Sequence, residues 1–205
     1  ALYSLKCSIM KTMEFALLPS TFSRKELQDL MKPLLQMVLP LCGIQKHMPC
    51  KLVYGSLKSR GLDIQDPWAT QLIKHLQAIV RHGVCNTPSY DLHIDAMEVI
   101  QTHLGTEKSF WDLPFKEYGF LAPERWMKHT WEHINCTNLK IQGPKPQVKH
   151  KCIGDPHIMD AFFRIYKNTE TKTKQWLLRR LNNCWLFLQA TCLSDISSVD
   201  GLTID

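Results

Sequence analysis

Apolar residues recur along this chain at intervals of three and four positions, the spacing that places side chains on one face of an α-helix. Three such stretches occupy residues 2–18, 23–39 and 67–82. Two of them begin with a helix-start signal: Ser23 and Glu26 have the spacing of a capping box, and Asp66 precedes Pro67 as a cap followed by a first-turn proline. The pattern predicts three amphipathic helices before residue 83.

The same spacing continues through the second half of the chain. Further helices are predicted over about 88–104, from Pro123, from Asp155 and over about 172–190. In the last helix, the residues expected on the buried face are Leu177, Leu181, Trp185 and Leu188. No alternating pattern of comparable length indicates a β-strand. The sequence therefore predicts a mainly α protein.

A division into two helical regions is expected either at 105–120 or in a linker at 139–152. We place it after residue 104, where the helix predicted over about 88–104 ends and is closed by Gly105. Residues 1–104 then hold a three-helix bundle, and residues 105–205 form a second helical unit. The linker at 139–152 is basic, and no acidic residue lies between Glu132 and Asp155.

The composition points to a folded protein with an anionic partner. The 205 residues are 44% hydrophobic, and the formal net charge is +6. The eight cysteines show no close pairing, which is typical of reduced thiols in an intracellular compartment, nuclear or cytoplasmic. The sequence has neither an apolar run of membrane-spanning length nor a signal-peptide pattern, so no membrane partner is expected. Because Ala1 opens directly into a helical pattern, we expect a fragment of a longer protein.

One group of residues raises the alternative of a metal site. His129, His133 and Cys136 would lie on one side of a helix, and His150 and Cys152 could complete a set of four ligands. The spacing matches no standard zinc module and includes no close Cys-x-x-Cys pair. We therefore favour structural roles for these residues and expect no cofactor.

Several short blocks of sequence occur in an order that points to a known family. In the first half these are 18–23 (LPSTFS), 47–49 (HMP), 53–55 (VYG), 61–62 (GL) and the Gln71-containing helix. In the second half they are 126–131 (WMKHTW), 181–189 (LNNCWLFLQ), 193–196 (LSDI) and 200–201 (DG). Together they resemble the region that follows the catalytic palm in non-LTR (LINE-type) reverse transcriptases and related open reading frames.

The resemblance implies a non-catalytic segment of a polymerase polyprotein. The first three helices would form a thumb-like bundle that holds an RNA–DNA duplex or template RNA beside an upstream palm domain. The Mg²⁺ ions would belong to the parent polymerase, because this chain has no Asp-Asp pair, and Asp195 and Asp200 fit turn and cap positions. The candidate nucleic-acid contacts are Lys46, His47, Lys51, Tyr54, Lys58, Arg60, Lys74 and Arg81.

The chain departs from the family pattern at four positions. Arg60 and Asp63 stand where the family has glycines, Ser56 stands for a proline, and Trp185 stands for an arginine. If the two glycine positions require positive φ, the turn is strained. The alternative function is therefore a helical interaction module, or an inactive relic of such an element, without nucleic-acid affinity.

Overall fold

The computed structural model describes residues 1–141, 156–167, 171–190 and 192–196. The protein is mainly α-helical, which confirms the predicted fold class. Within those ranges the backbone forms no β-sheet, only an isolated antiparallel bridge between His157 and Cys192. Most of the predicted basic linker and the 200–201 block lie outside the described residues.

The first helix, α1, is continuous over the segments Leu2–Ser4, Leu5–Ile9 and Met10–Leu17, of which the middle one is a π-helical turn. The helices that follow are α2 (Arg24–Leu41), α3 (Cys50–Val53), α4 (Pro67–Cys85), α5 (Pro88–Leu104), α6 (Phe115–Tyr118), α7 (Trp126–Thr137), α8 (Ile158–Ile165) and α9 (Thr171–Leu188). Short 3₁₀ turns occupy Leu57–Ser59, Phe110–Asp112, Gly119–Leu121 and Leu193–Asp195.

Three local signals for helix ends are confirmed, whereas α4 runs past its predicted end at residue 82 to Cys85, and α7 begins at Trp126, three residues after Pro123. The Ser23 backbone N–H donates to Glu26 Oε2 at 2.8 Å, and the Glu26 N–H donates to Ser23 Oγ at 3.3 Å. Asp66 Oδ1 accepts from the Trp68 N–H at 3.0 Å. Gly105 ends α5 in the left-handed conformation that favours glycine, with φ +62°.

Helix α2 runs through both of its prolines, Pro33 and Pro40. A proline inside a helix removes the hydrogen bond to the carbonyl four residues earlier, here those of Asp29 and Gln36. Both prolines lie on exposed positions, as do these two residues, so water can satisfy the carbonyls. Exposure therefore explains why the helix continues to Leu41.

The chain divides into two compact units, residues 1–86 and 87–205. The sequence placed the boundary after residue 104, and the structure corrects this assignment for helix α5. That helix packs against α7, α9 and the turn Phe110–Asp112, all within the second unit. The division falls where Asn86 ends α4 with φ +46° and Pro88 begins α5.

The first unit is built on α1, α2 and α4, the three helices that the sequence predicted as a bundle. Helix α4 packs against both α1 and α2. The shared apolar core also takes in residues of the irregular segment between α2 and α4. Its buried members are Leu5, Met10, Met31, Leu35, Val38, Leu39, Val53 and Ile64.

In the second unit, the predicted buried face of α9 is partly wrong. The structure buries Leu178, Asn182 and Trp185, whereas Leu188 is 60% exposed. The reason is a polar contact, because Asn182 Nδ2 donates a hydrogen bond to the backbone oxygen of His103 at the end of α5. Leu178 and Asn182 are therefore buried in place of the predicted Leu177 and Leu181, one residue later in each case, while Trp185 is buried as predicted.

Candidate nucleic-acid interface

The segment between α2 and α4, residues 42–66, is a closed loop held by its own backbone. The N–H groups of Leu62, Asp63 and Ile64 donate to the carbonyls of Leu52, Gly55 and Val53 at 2.9, 2.8 and 3.3 Å. We call residues 42–66 the basic loop. Because backbone groups close the loop, its basic side chains can face solvent, while Val53 and Ile64 are buried in the core.

Two glycines make that closure possible. A Cβ on Gly61 would lie 2.1 Å from the carbonyl oxygen of Gly55, closer than any real Cβ contact. A Cβ on Gly55 would lie 2.7 Å from the carbonyl oxygen of Lys51. In both cases the obstacle is backbone, which cannot rotate away. Gly55 and Gly61, both part of the resemblance blocks, are therefore required by the close approach of two backbone segments.

Arg60 and Asp63 both adopt the left-handed conformation, with φ +58° and +53°. These are the two positions at which the family pattern has glycine. For an L-residue with a side chain this conformation costs about 1–2 kcal/mol, less for Asp than for Arg. Both residues thus have the positive φ that glycine favours, so the strain expected at these positions is present.

The basic loop presents most of the predicted contact residues to solvent. Lys46, His47, Lys51, Lys58 and Arg60 are all exposed. Within residues 42–62 there is no acidic residue to offset them. The loop therefore carries a concentrated positive charge on a backbone that is already ordered.

Two predicted residues lie on α4 and differ in their surroundings. Lys74 is half-buried, and its Nζ lies 3.1 Å from Glu14 Oε2 on α1. Glu14 also pairs with Lys11 at 2.7 Å, and the Lys11 hydrogen bond, followed by that of Lys74, lowers the pKa of the Glu14 carboxyl. Lys74 is thus partly neutralised within the protein, whereas Arg81 is exposed.

Tyr54, in the basic loop itself, is half-buried and packs against the core of the first unit. Burial raises the pKa of its phenol to about 12, with a further contribution from the nearby carboxylate of Asp66. The hydroxyl therefore keeps its proton at neutral pH and can donate a hydrogen bond.

One cationic group at this surface was missed by the sequence reasoning. The Arg24 guanidinium lies 5.0 Å from the centre of the Trp68 ring. Arg24, Lys51, Tyr54 and Trp68 line one cleft of about 190 Å³. Arg24 and Trp68 are far apart in sequence, so only the packing of α2 near the start of α4 brings them together.

The two units differ sharply in charge. Residues 1–86 contain 11 Lys and Arg against 5 Asp and Glu, whereas residues 87–205 contain 14 of each class. The entire net charge of +6 therefore lies in the first unit. The composition of the whole chain does not show this uneven distribution of charge.

The metal alternative gains no support where the structure can be read. Among residues 1–141, 156–167, 171–190 and 192–196, no three His, Cys, Asp or Glu residues are grouped to hold a metal ion. His133 is buried, while Cys136 is exposed and His129 half-buried. His150 and Cys152, the proposed completing ligands, lie outside the described residues.

No family model, curated protein or solved structure matches this chain. In the described part of the chain, every helix is too short or too polar to span a membrane.

Proposed function

We propose that the first unit binds nucleic acid through the basic loop, as the thumb-like part of a LINE-type reverse-transcriptase polyprotein. Its ligand would be an RNA–DNA duplex or the template RNA beside it. The observation that carries the proposal is the confinement of the whole +6 net charge to residues 1–86, with exposed cations on a loop closed by backbone.

The physics of such binding is sequence-independent. Lysine and arginine contacts to phosphates release counterions, so affinity is high at low salt and falls as salt is added. A loop that is already ordered loses little conformational entropy on binding. The basic loop thus fits a surface that positions a duplex without reading its bases.

Chemistry is assigned to an upstream palm domain of the same polyprotein. The sequence contains no Asp-Asp pair to hold the Mg²⁺ ions of a polymerase. Asp195 lies in the turn Leu193–Asp195, where its carboxylate accepts from the Cys192 N–H at 3.0 Å. This is the cap role that the sequence favoured, and the proposal gives this chain no catalytic step. The proposed location is intracellular and reducing, as expected from the scattered spacing of the eight cysteines.

A second candidate is a helical interaction module, or a relic, without affinity for nucleic acid. Large apolar side chains stand exposed on the first unit, among them Tyr3 at 79%, Phe15 at 84% and Val84 at 81%. Exposed apolar groups favour a protein partner. In the leading proposal this protein partner is the palm domain, and nucleic acid binds as well. In the second, a protein is the only partner.

The test is the affinity for a labelled RNA–DNA duplex, measured by fluorescence anisotropy at a series of salt concentrations. The loop variant K51Q/K58Q/R60N removes three exposed charges, and asparagine tolerates the left-handed conformation at position 60. We expect weaker binding and a slope of log K against log salt that is shallower by about 2–3, since each phosphate contact contributes about 0.9.

The matched control is K116Q/R164Q/K167Q, which removes two lysines and one arginine at exposed positions of the second unit. It should bind like the unaltered protein. Absence of any binding at low salt would support the interaction module, and equal losses in both variants would show that total charge, not the basic loop, governs affinity.

A further inference from the structure

We infer that the cleft formed by α2, α3 and α4 takes one unpaired nucleotide, whose base stacks on the Arg24 guanidinium where it covers Trp68. The inference rests on the proposed function and extends it: the basic loop holds the duplex backbone, and the cleft holds a single-stranded nucleotide at its end. The ligand class is an unpaired RNA or DNA nucleotide.

The cleft is formed where the N-terminal turns of α2 and α4 approach α3. Its volume is about 190 Å³. Among its lining residues are Arg24, Lys51, Tyr54, Asp66 and Trp68. It therefore combines aromatic rings with cations at the edge of the basic loop.

The stacking surface already exists in the protein. The Arg24 guanidinium lies over Trp68 at 5.0 Å from the ring centre, and Trp68 itself is half-buried, so its ring is held in place. Both aromatic rings and arginine planes stack on unpaired bases. A base on the outer side of Arg24 would extend the same stack.

The polar groups of the cleft suit a nucleotide. Lys51 is exposed at the rim and can approach a phosphate, and the Tyr54 hydroxyl remains a donor. Asp66 uses Oδ1 to cap α4, and its second carboxylate oxygen can accept from a base amino group. Two cations against one carboxylate leave the cleft positive.

The size of the cleft limits the ligand. An enclosed apolar cavity of about 150 Å³ is enough to hold benzene. A cleft of about 190 Å³ thus has room for one base ring system.

The experiment compares the intact chain's affinity for a blunt RNA–DNA duplex with that for the same duplex carrying a two-nucleotide overhang. We expect the overhang to increase affinity about tenfold, or about 1.4 kcal/mol. The variant R24Q/W68L should lose this advantage while its affinity for the blunt duplex changes less than threefold. The conservative variant W68Y retains a ring and should keep most of the advantage.

A matched control is present in the second unit. Arg180 lies over Trp176 at 4.7 Å, and Trp176 is 54% exposed. Because this pair belongs to the second unit and not to the cleft of the first, R180Q/W176L should leave the overhang advantage unchanged. Circular dichroism of each variant confirms that the helices are intact.

The outcomes separate this inference from the proposed function. If the blunt duplex binds but the overhang gives no advantage, the cleft assignment is overturned and the duplex proposal stands. If the duplex fails to bind while a single-stranded oligonucleotide binds and depends on Trp68, the cleft assignment stands and the duplex proposal fails. An overhang advantage that survives in R24Q/W68L also overturns the cleft assignment.

Discussion

The two units each contain a long irregular connection, and they hold it in opposite ways. In the first unit, residues 42–66 are closed by backbone hydrogen bonds and by the contact of Gly55 with Gly61. In the second, residues 105–125 are held by buried side chains. Gln101 Nε2 donates to the carbonyls of Thr106 and Lys108 at 2.8 and 2.9 Å, and Gln101 Oε1 accepts from the Phe110 N–H at 2.9 Å.

The two connections differ in which of their side chains are available to a ligand. Where backbone closes a loop, few of its side chains are needed for packing: in the first unit Val53 and Ile64 are buried, and the basic side chains are exposed. Where side chains close a loop, they are buried and unavailable to a ligand, as with Phe110 and Trp131 at 0% exposure. This contrast supports nucleic-acid binding by the first unit and a structural role for the second connection.

The largest expected effect comes from removing the aromatic centre of the second connection. Trp131 contacts the rings of Phe110 and Phe115 edge-on, at centroid distances of 5.5 and 5.0 Å, and its Nε1 donates to the Leu113 carbonyl at 3.3 Å. Trp131→Ala should lower the free energy of unfolding of the second unit by about 3–5 kcal/mol. Urea unfolding, monitored by hydrogen exchange within residues 87–141, measures this loss of stability.

The contrast predicts that the same substitution leaves exchange in residues 52–64 unchanged. Faster exchange in both segments would show that the second connection does not act within its own unit alone.

The next largest effect is expected from a substitution that disturbs the backbone closure of the basic loop in the first unit. Gly61→Ala places a Cβ against the Gly55 carbonyl oxygen, and we expect a loss of about 3 kcal/mol together with faster exchange at Leu62 and Ile64. Gly119→Ala is the matched control in the second connection. Its nearest neighbour is the Phe115 ring at 2.6 Å, a side chain and not backbone, so the loss should be smaller. Equal losses would contradict the backbone account of the basic loop.

The smallest effect concerns the strained turn. Arg60→Gly relieves the left-handed strain but makes the unfolded chain more flexible, so we expect a net stabilisation of about 0.5–1 kcal/mol, measured by urea unfolding. Gly43→Ala is the mirror control, since Gly43 has φ +73° and open space around it. Gly43→Ala should lower the free energy of unfolding by a similar amount. If Arg60→Gly also lowers it, the Arg60 side chain itself stabilises the turn.

How much the sequence predicts depends on whether a signal is local. The Ser23 capping box, the Asp66 cap and the Gly105 helix end lie within a few residues of what they determine, and all were predicted. The buried face of α9 depends on the bond from Asn182 to the His103 carbonyl, 79 residues away. A hydrophobic pattern does not contain that information.

The candidate site shows the same limit. Exposure of the cations from Lys46 to Arg60 follows from their charge and from the glycines around them, so the sequence identifies them. The pairing of Lys74 with Glu14 and the position of Arg24 over Trp68 depend on how the helices pack. Lys74 is therefore not one of the unpaired cations, and Arg24 is an addition to the candidate surface.

Lysine acetylation footprinting of the full chain, with and without the RNA–DNA duplex, compares the two units in one measurement. We predict that the duplex protects Lys46, Lys51 and Lys58 several-fold and leaves the exposed lysines of the second unit, such as Lys116 and Lys167, unprotected. Equal protection of both units, or protection confined to the second, would contradict the assignment of nucleic-acid binding to the basic loop.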